Sequence, residues 1–157
     1  MMNTKVMFSF FLTSFFLLFL ITGHSTAAEQ LPGKQTLYVP AYSHIYHGNK
    51  ETPLLLSVTL SIRNIDPHTA ITITKVDYHE TDGPLIKAYL KSPLTLGPLG
   101  SKKYIVPQRD NTGGSGANFI VSWEAEKPVN PPIVETVMIG TQSQLGISFT
   151  SRGVEIH

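Results

Sequence analysis

Apolar side chains recur at every second position over much of this chain. Residues 56–63 read Leu-Ser-Val-Thr-Leu-Ser-Ile-Arg, so Leu56, Val58, Leu60 and Ile62 share one face and Ser57, Thr59, Ser61 and Arg63 the other. Strict alternation of this length is the period-2 signature of a strand with one face in a core. Residues 71–78 form a second run whose apolar phase slips between Ile73 and Val76, and a bulge near Thr74-Lys75 accounts for the slip. Residues 118–125 alternate again and turn Phe119, Val121, Trp123 and Ala125 inward. Shorter runs follow the same rule at 85–90, 102–106, 134–139 and 146–151, and the lysines that open 102–106 suit an edge strand.

The polar stretches between these runs carry turn chemistry. Asp66-Pro67 punctuates residues 64–69. Asp82-Gly83 predicts a two-residue hairpin of type I′, which needs positive φ at both central positions. Pro93, Gly97, Pro98 and Gly100 mark a connection expected to cross between sheets rather than to pair. No window of ten or more residues beyond the first 28 sustains a 3.6-residue apolar period. Seven or eight short strands with turns between them predict an all-β domain: a single antiparallel β-sandwich of immunoglobulin-like topology, with a small closed barrel as the alternative. No internal repeat and no long linker divides the chain.

The N-terminus departs from this pattern. Lys5 precedes 16 apolar or hydroxyl residues, Val6 to Ile21, and the small residues Ser25, Thr26, Ala27 and Ala28 follow. A basic start, an apolar run and a small-residue exit describe a secretory signal peptide over residues 1–28, cut after Ala28. The rival is a retained anchor; the run falls short of the roughly 20 residues that span a bilayer. The expected location is the periplasm or cell envelope, with membrane contact only if the leader is kept. Residues 29–157 then form one domain of 129 residues with 11 basic and 11 acidic side chains, so nothing steers it toward nucleic acid. The chain has no cysteine, which excludes a disulfide framework and a lipoprotein anchor.

Several runs carry a family resemblance. They are 37–46 (Leu-Tyr-Val-Pro-Ala-Tyr-Ser-His-Ile-Tyr), 60–64 (Leu-Ser-Ile-Arg-Asn), Asp82-Gly83, 113–119 (Gly-Gly-Ser-Gly-Ala-Asn-Phe), 135–140 (Glu-Thr-Val-Met-Ile-Gly) and 148–153 (Ser-Phe-Thr-Ser-Arg-Gly). In this order and spacing the chain resembles the bacterial domain-of-unknown-function family 3124. The resemblance implies an exported domain and brings no assigned activity, ligand or functional residue.

Three constellations remain as candidate sites. Tyr38, Tyr42 and Tyr46 share one parity with Pro40 and His44. Pro40 blocks a helix, so an extended segment is expected to present three phenol rings along one strand face, for a saccharide or an envelope protein. The densest glycine run holds Gly113, Gly114, Ser115 and Gly116 before Asn118. A strand follows it and the phosphate-binding lysine is missing, so it predicts a loop with positive φ or a close backbone approach. His44, His47 and His79 are competent copper or zinc ligands, although a spacing of three in extended chain sends His44 and His47 to opposite faces. No nucleophile elbow, paired carboxylates or cofactor motif stands out. The function expected is a non-catalytic, cofactor-free binding module of the bacterial envelope, with a metal-binding accessory protein as the alternative.

Overall fold

The computed structural model describes residues 30–141 and 146–157, so the leader assigned to residues 1–28 lies outside the described residues. The described residues form twelve strands and no helix. In chain order these are β1 (Lys34–Pro40), β2 (His44–His47), β3 (Thr52–Leu55), β4 (Ser57–Arg63), β5 (Ile71–His79), β6 (Leu85–Ala88), β7 (Leu94–Leu96), β8 (Ser101–Val106), β9 (Asn118–Glu124), β10 (Ile133–Gly140), β11 (Ile147–Arg152) and β12 (Val154–Ile156). One six-stranded antiparallel sheet runs β12-β1-β9-β5-β6, with β7 on the β5 edge; a four-stranded sheet runs β11-β10-β4-β8; β2 and β3 form a two-stranded ribbon.

The alternation read from the sequence sets which faces meet. Val58, Leu60 and Ile62 of β4 and Val134 and Met138 of β10 share one buried cluster with Val39, Ile73, Val76, Phe119, Val121 and Trp123 of the six-stranded sheet. The phase slip in β5 is a register shift between Ile73 and Lys75 against β9, which returns Val76 and Tyr78 to the core side. Gly153 lets the chain pass from β11 in one sheet to β12 in the other: a side chain there would meet Val39 and the Val134 carbonyl.

Two turns differ from expectation. The Asp82-Gly83 hairpin is a three-residue loop, with Gly83 N–H donating to Glu80 O (2.9 Å) and Glu80 N–H to Pro84 O (3.0 Å). Only Gly83 has positive φ (100°), so Asp82 sits in the ordinary region and the type I′ turn is replaced by a longer loop closed by a left-handed glycine. The Pro93–Gly100 connection does pair: β7 lies within it and bonds to β5 through Ile71–Ile73 before the chain crosses to β8. β3, β7 and β12 escaped the alternation rule because they are only three or four residues long. The single extended segment expected over residues 38–46 is divided between β1, which ends at Pro40, and β2, which begins at His44.

Asn64 and Asp66 knit one end of the molecule. The Asn64 amide donates to the Thr69, Leu96 and Gly97 carbonyls, and its oxygen accepts from the Asp66 N–H. The Asp66 carboxylate accepts from the N–H groups of His68, Thr69 and Asn130 and from the Asn130 amide. Three separate connections thereby close on two side chains.

Candidate functional site

The glycine run forms the loop between β8 and β9, and its neighbours are other parts of the chain. Gly113 O accepts from the N–H and the hydroxyl of Thr81 at the tip of the β5–β6 hairpin, both at 3.0 Å, and Gly116 N–H donates to the same hydroxyl. Gly114 O accepts from the N–H and hydroxyl of the buried Ser43, and Ala117 O from Ala41 N–H (2.8 Å). Both sequence expectations hold: Gly114 has φ of 79°, and a Cβ at Gly113 would fall on the Tyr78 hydroxyl and lie 2.8 Å from Ala117 Cβ. Ser115 is half-buried and Asn118 buried at the head of β9. The loop is a latch joining the hairpin to the β1–β2 corner, and its best polar groups are spent internally. Gly113→Ala is expected to cost about 1–3 kcal/mol, read as a lower urea midpoint.

The tyrosine row is not one strand face. β1 ends at Pro40, Ala41–Ser43 turn the corner, and β2 begins at His44. Tyr38 lies exposed on β1; Tyr42 packs edge-on against Phe149 at 5.6 Å and covers the core; Tyr46 is exposed on the β2–β3 ribbon. The cause is the glycine latch, which draws residues 41–43 inward and breaks the extended segment.

The histidines are also apart. His44 Nε2 lies 3.3 Å from the Tyr46 hydroxyl, His79 Nδ1 lies 2.8 Å from Gly83 O, and His47 is exposed on β2. Among the described residues no three His, Asp or Glu side chains converge as a metal set. On the open side of the core, burial pushes the phenol of Tyr78 up, helped by the charge of Asp110, and burial does the same to Tyr89 and Tyr104. These phenols stay protonated and close the gap between the sheets, where Tyr89 meets Tyr104 edge-on at 5.1 Å. None is poised as a base.

What the fold does assemble is the outer face of the six-stranded sheet. Register puts Val154, Tyr38, Ile120 and Asp77 side by side across β12, β1, β9 and β5. The next row holds Ile156, Thr36, Ser122 and Lys75, with the Thr36 and Ser122 hydroxyls 3.0 Å apart. A shallow groove of about 400 Å³ opens beside them, lined by Lys34, Thr36, Thr74, Ser122, Glu124 and Ile156 among others. Of this set only Tyr38 was nominated from the sequence. Its neighbours lie some 80 to 120 positions away, and alternation within single runs says nothing of which strands adjoin.

The architecture defines an all-β domain of antiparallel sheets enclosing one core. The sequence profile of the family described as protein of unknown function (DUF3124) matches residues 34–156, and the chain belongs to that family. No curated protein matches the chain. A solved structure from Thermotoga maritima, "Crystal Structure of Thermotoga maritima 1070", is similar over 79% of this chain and 96% of its own, at 14% identity and a TM-score of 0.45.

Proposed function

We propose that this protein is an exported, non-catalytic binding module of the bacterial envelope, built as a single immunoglobulin-like sandwich behind a cleaved leader, and that it takes the sugar rings of an envelope saccharide on the outer face around Tyr38. One observation carries the choice of surface: an exposed phenol stands between Val154 and Ile120, directly beside a hydroxyl pair and a shallow groove. A flat apolar body with a polar tip suits the apolar face of a pyranose, and adjacent hydroxyls and carboxylates suit its rim. The charges close by are mixed in sign, Lys34 opposite Glu124 and Lys75 near Asp77, which favours an uncharged polyol over an ionic ligand. The glycine loop and Tyr42 serve the fold under this reading.

A thermal shift screen with cell-wall fragments, followed by titration, tests it. Tyr38→Ala is expected to weaken the best fragment about tenfold or more while leaving the unfolding free energy from urea titration within about 0.5 kcal/mol of the parent's, as for an exposed position. Full affinity in Tyr38→Ala would remove the surface from consideration. A chain that ignores saccharides yet captures an envelope protein through Tyr38 would replace the ligand and keep the face.

A further inference from the structure

The outer face of the six-stranded sheet is ordered in rows that cross the strands, because directly paired residues point to the same side. Val154, Tyr38 and Ile120 stand side by side on β12, β1 and β9, and Asp77 of β5 and Ala88 of β6 continue the row. Val154 is 64% exposed and Tyr38 37%. The rows on either side are more polar. One sets Thr36, Ser122 and Lys75 beside Ile156. The other holds the buried Asn118 and the half-buried His79 between Pro40 and Leu85. An apolar stripe three strands wide therefore runs perpendicular to the chain, with hydrogen-bonding groups along both flanks. The outer face of the four-stranded sheet has no such stripe. There Thr59 stands between Ile105 and Val137, and the next row sets Lys103, Ser61, Glu135 and Arg152 side by side.

The shape of the row says what kind of saccharide it fits. β12 and β6 are the terminal strands of the sheet, so no further strand walls off either end. The groove on the Thr36 flank is shallow and closes around nothing. Such a surface takes the interior of a chain as readily as its end. Adjacent strands lie about 4.8 Å apart, so the row from β12 to β5 spans about 14 Å, the reach of about three linked pyranose rings. Sheet twist turns each strand by roughly 20–25° from the last, always in one sense, so the row winds gently. A glycan with equatorial β linkages is extended and can follow it ring by ring. An α-linked glycan coils and leaves the sheet after one ring.

We infer that the Tyr38 row is a track for the interior of an extended, uncharged, β-linked polysaccharide that crosses the strands. Its rings stack in turn on Val154, Tyr38 and Ile120, while their rim hydroxyls meet Thr36 and Ser122 on one flank and His79 on the other. The inference rests on the saccharide reading of this face and adds to it the direction, length and linkage of the ligand.

NMR titration with cello- and chito-oligosaccharides of increasing length, and with malto-oligosaccharides as the coiled control, tests it. In a β-linked series, affinity is expected to rise about tenfold or more from one ring to three, as each added ring buries apolar surface, and to level off beyond four. The malto series is expected to stay at its one-ring affinity. Val154→Ser and Asp77→Ala alter the row on either side of Tyr38 and Ile120. Each is expected to lower the three-ring affinity about threefold or more, with the one-ring affinity and the unfolding free energy near the parent's. A chain lying along β1 would touch neither side chain, so an unchanged ratio of three-ring to one-ring affinity in both variants overturns the crossing direction. Affinity that depends on Tyr38 but not on chain length, or a malto series that gains as much as the β-linked ones, also overturns the track and leaves a one-ring site. Absence of binding in every series, or binding that ignores Tyr38→Ala, overturns the saccharide reading itself and the track with it.

Discussion

Trp123→Ala is expected to cost about 3–5 kcal/mol, the range for emptying a large aromatic site in a packed core. Trp123 lies on β9 with its side chain 1% exposed, aligned with Phe119 and Val121 and opposite Ile73 of β5. The indole N–H is buried with no hydrogen-bond partner, so the loss is packing and transfer free energy with no bond broken. Trp123→Phe, which keeps most of the apolar volume, should recover much of the difference. Urea titration of the three proteins checks this through the midpoint at constant slope. A midpoint in Trp123→Ala equal to the parent's would mean the strand faces the other way. A changed slope would mean the substitution alters the compactness of the unfolded chain.

The position of Trp123 was legible because β9 obeys the period-2 rule over its whole length, as β4 does. The same holds for the slip in β5, where two apolar residues out of phase require an extra residue in the ladder, and the shift falls between Ile73 and Lys75. What alternation cannot carry is information between runs. Tyr38 was found with the wrong companions, since parity grouped it with Tyr42 and Tyr46 along the chain, whereas its spatial neighbours are Val154 and Ile120 on other strands. The break at Ala41–Ser43 that separates the tyrosines is imposed by Gly114 O and Ala117 O, more than seventy residues downstream. The glycine run was rightly read as a site of close approach, but glycine density alone does not tell a ligand from a neighbouring loop, and here Tyr78 and Thr81 occupy the space. Leu99, whose N–H donates to Asp66 O at a backbone φ of 56°, escaped notice because an apolar residue between Pro98 and Gly100 has no periodic context, and its left-handed backbone has no signature in residue type.

Asn64→Leu is expected to cost about 3 kcal/mol or more, although the two side chains are close in size, because it strands several buried polar groups at once. The amide of Asn64, 2% exposed, serves the carbonyls of Thr69, Leu96 and Gly97 at 2.8, 3.2 and 3.0 Å, and its oxygen holds the Asp66 N–H at 3.0 Å. Leucine offers none of these bonds and cannot move into water. The damage should reach Asp66. Its carboxyl is held down from an ordinary 3.8 to about 2, foremost by the His68 backbone N–H and further by Asn130 and Thr69, against burial that pushes it up. A carboxyl lower in the folded state than in the unfolded one stabilises the fold above about pH 4, and that contribution fades as the pH falls from about 4 toward about 2. Urea midpoints measured between pH 6 and pH 2 should therefore drop in the parent over that window. The drop should shrink in Asn64→Leu, where the turn that presents the His68 and Thr69 N–H groups has lost its brace. An undiminished acid drop in a destabilised Asn64→Leu would show that the Asp66 turn holds its shape alone, and would uncouple the two halves of the knot that fixes Leu99.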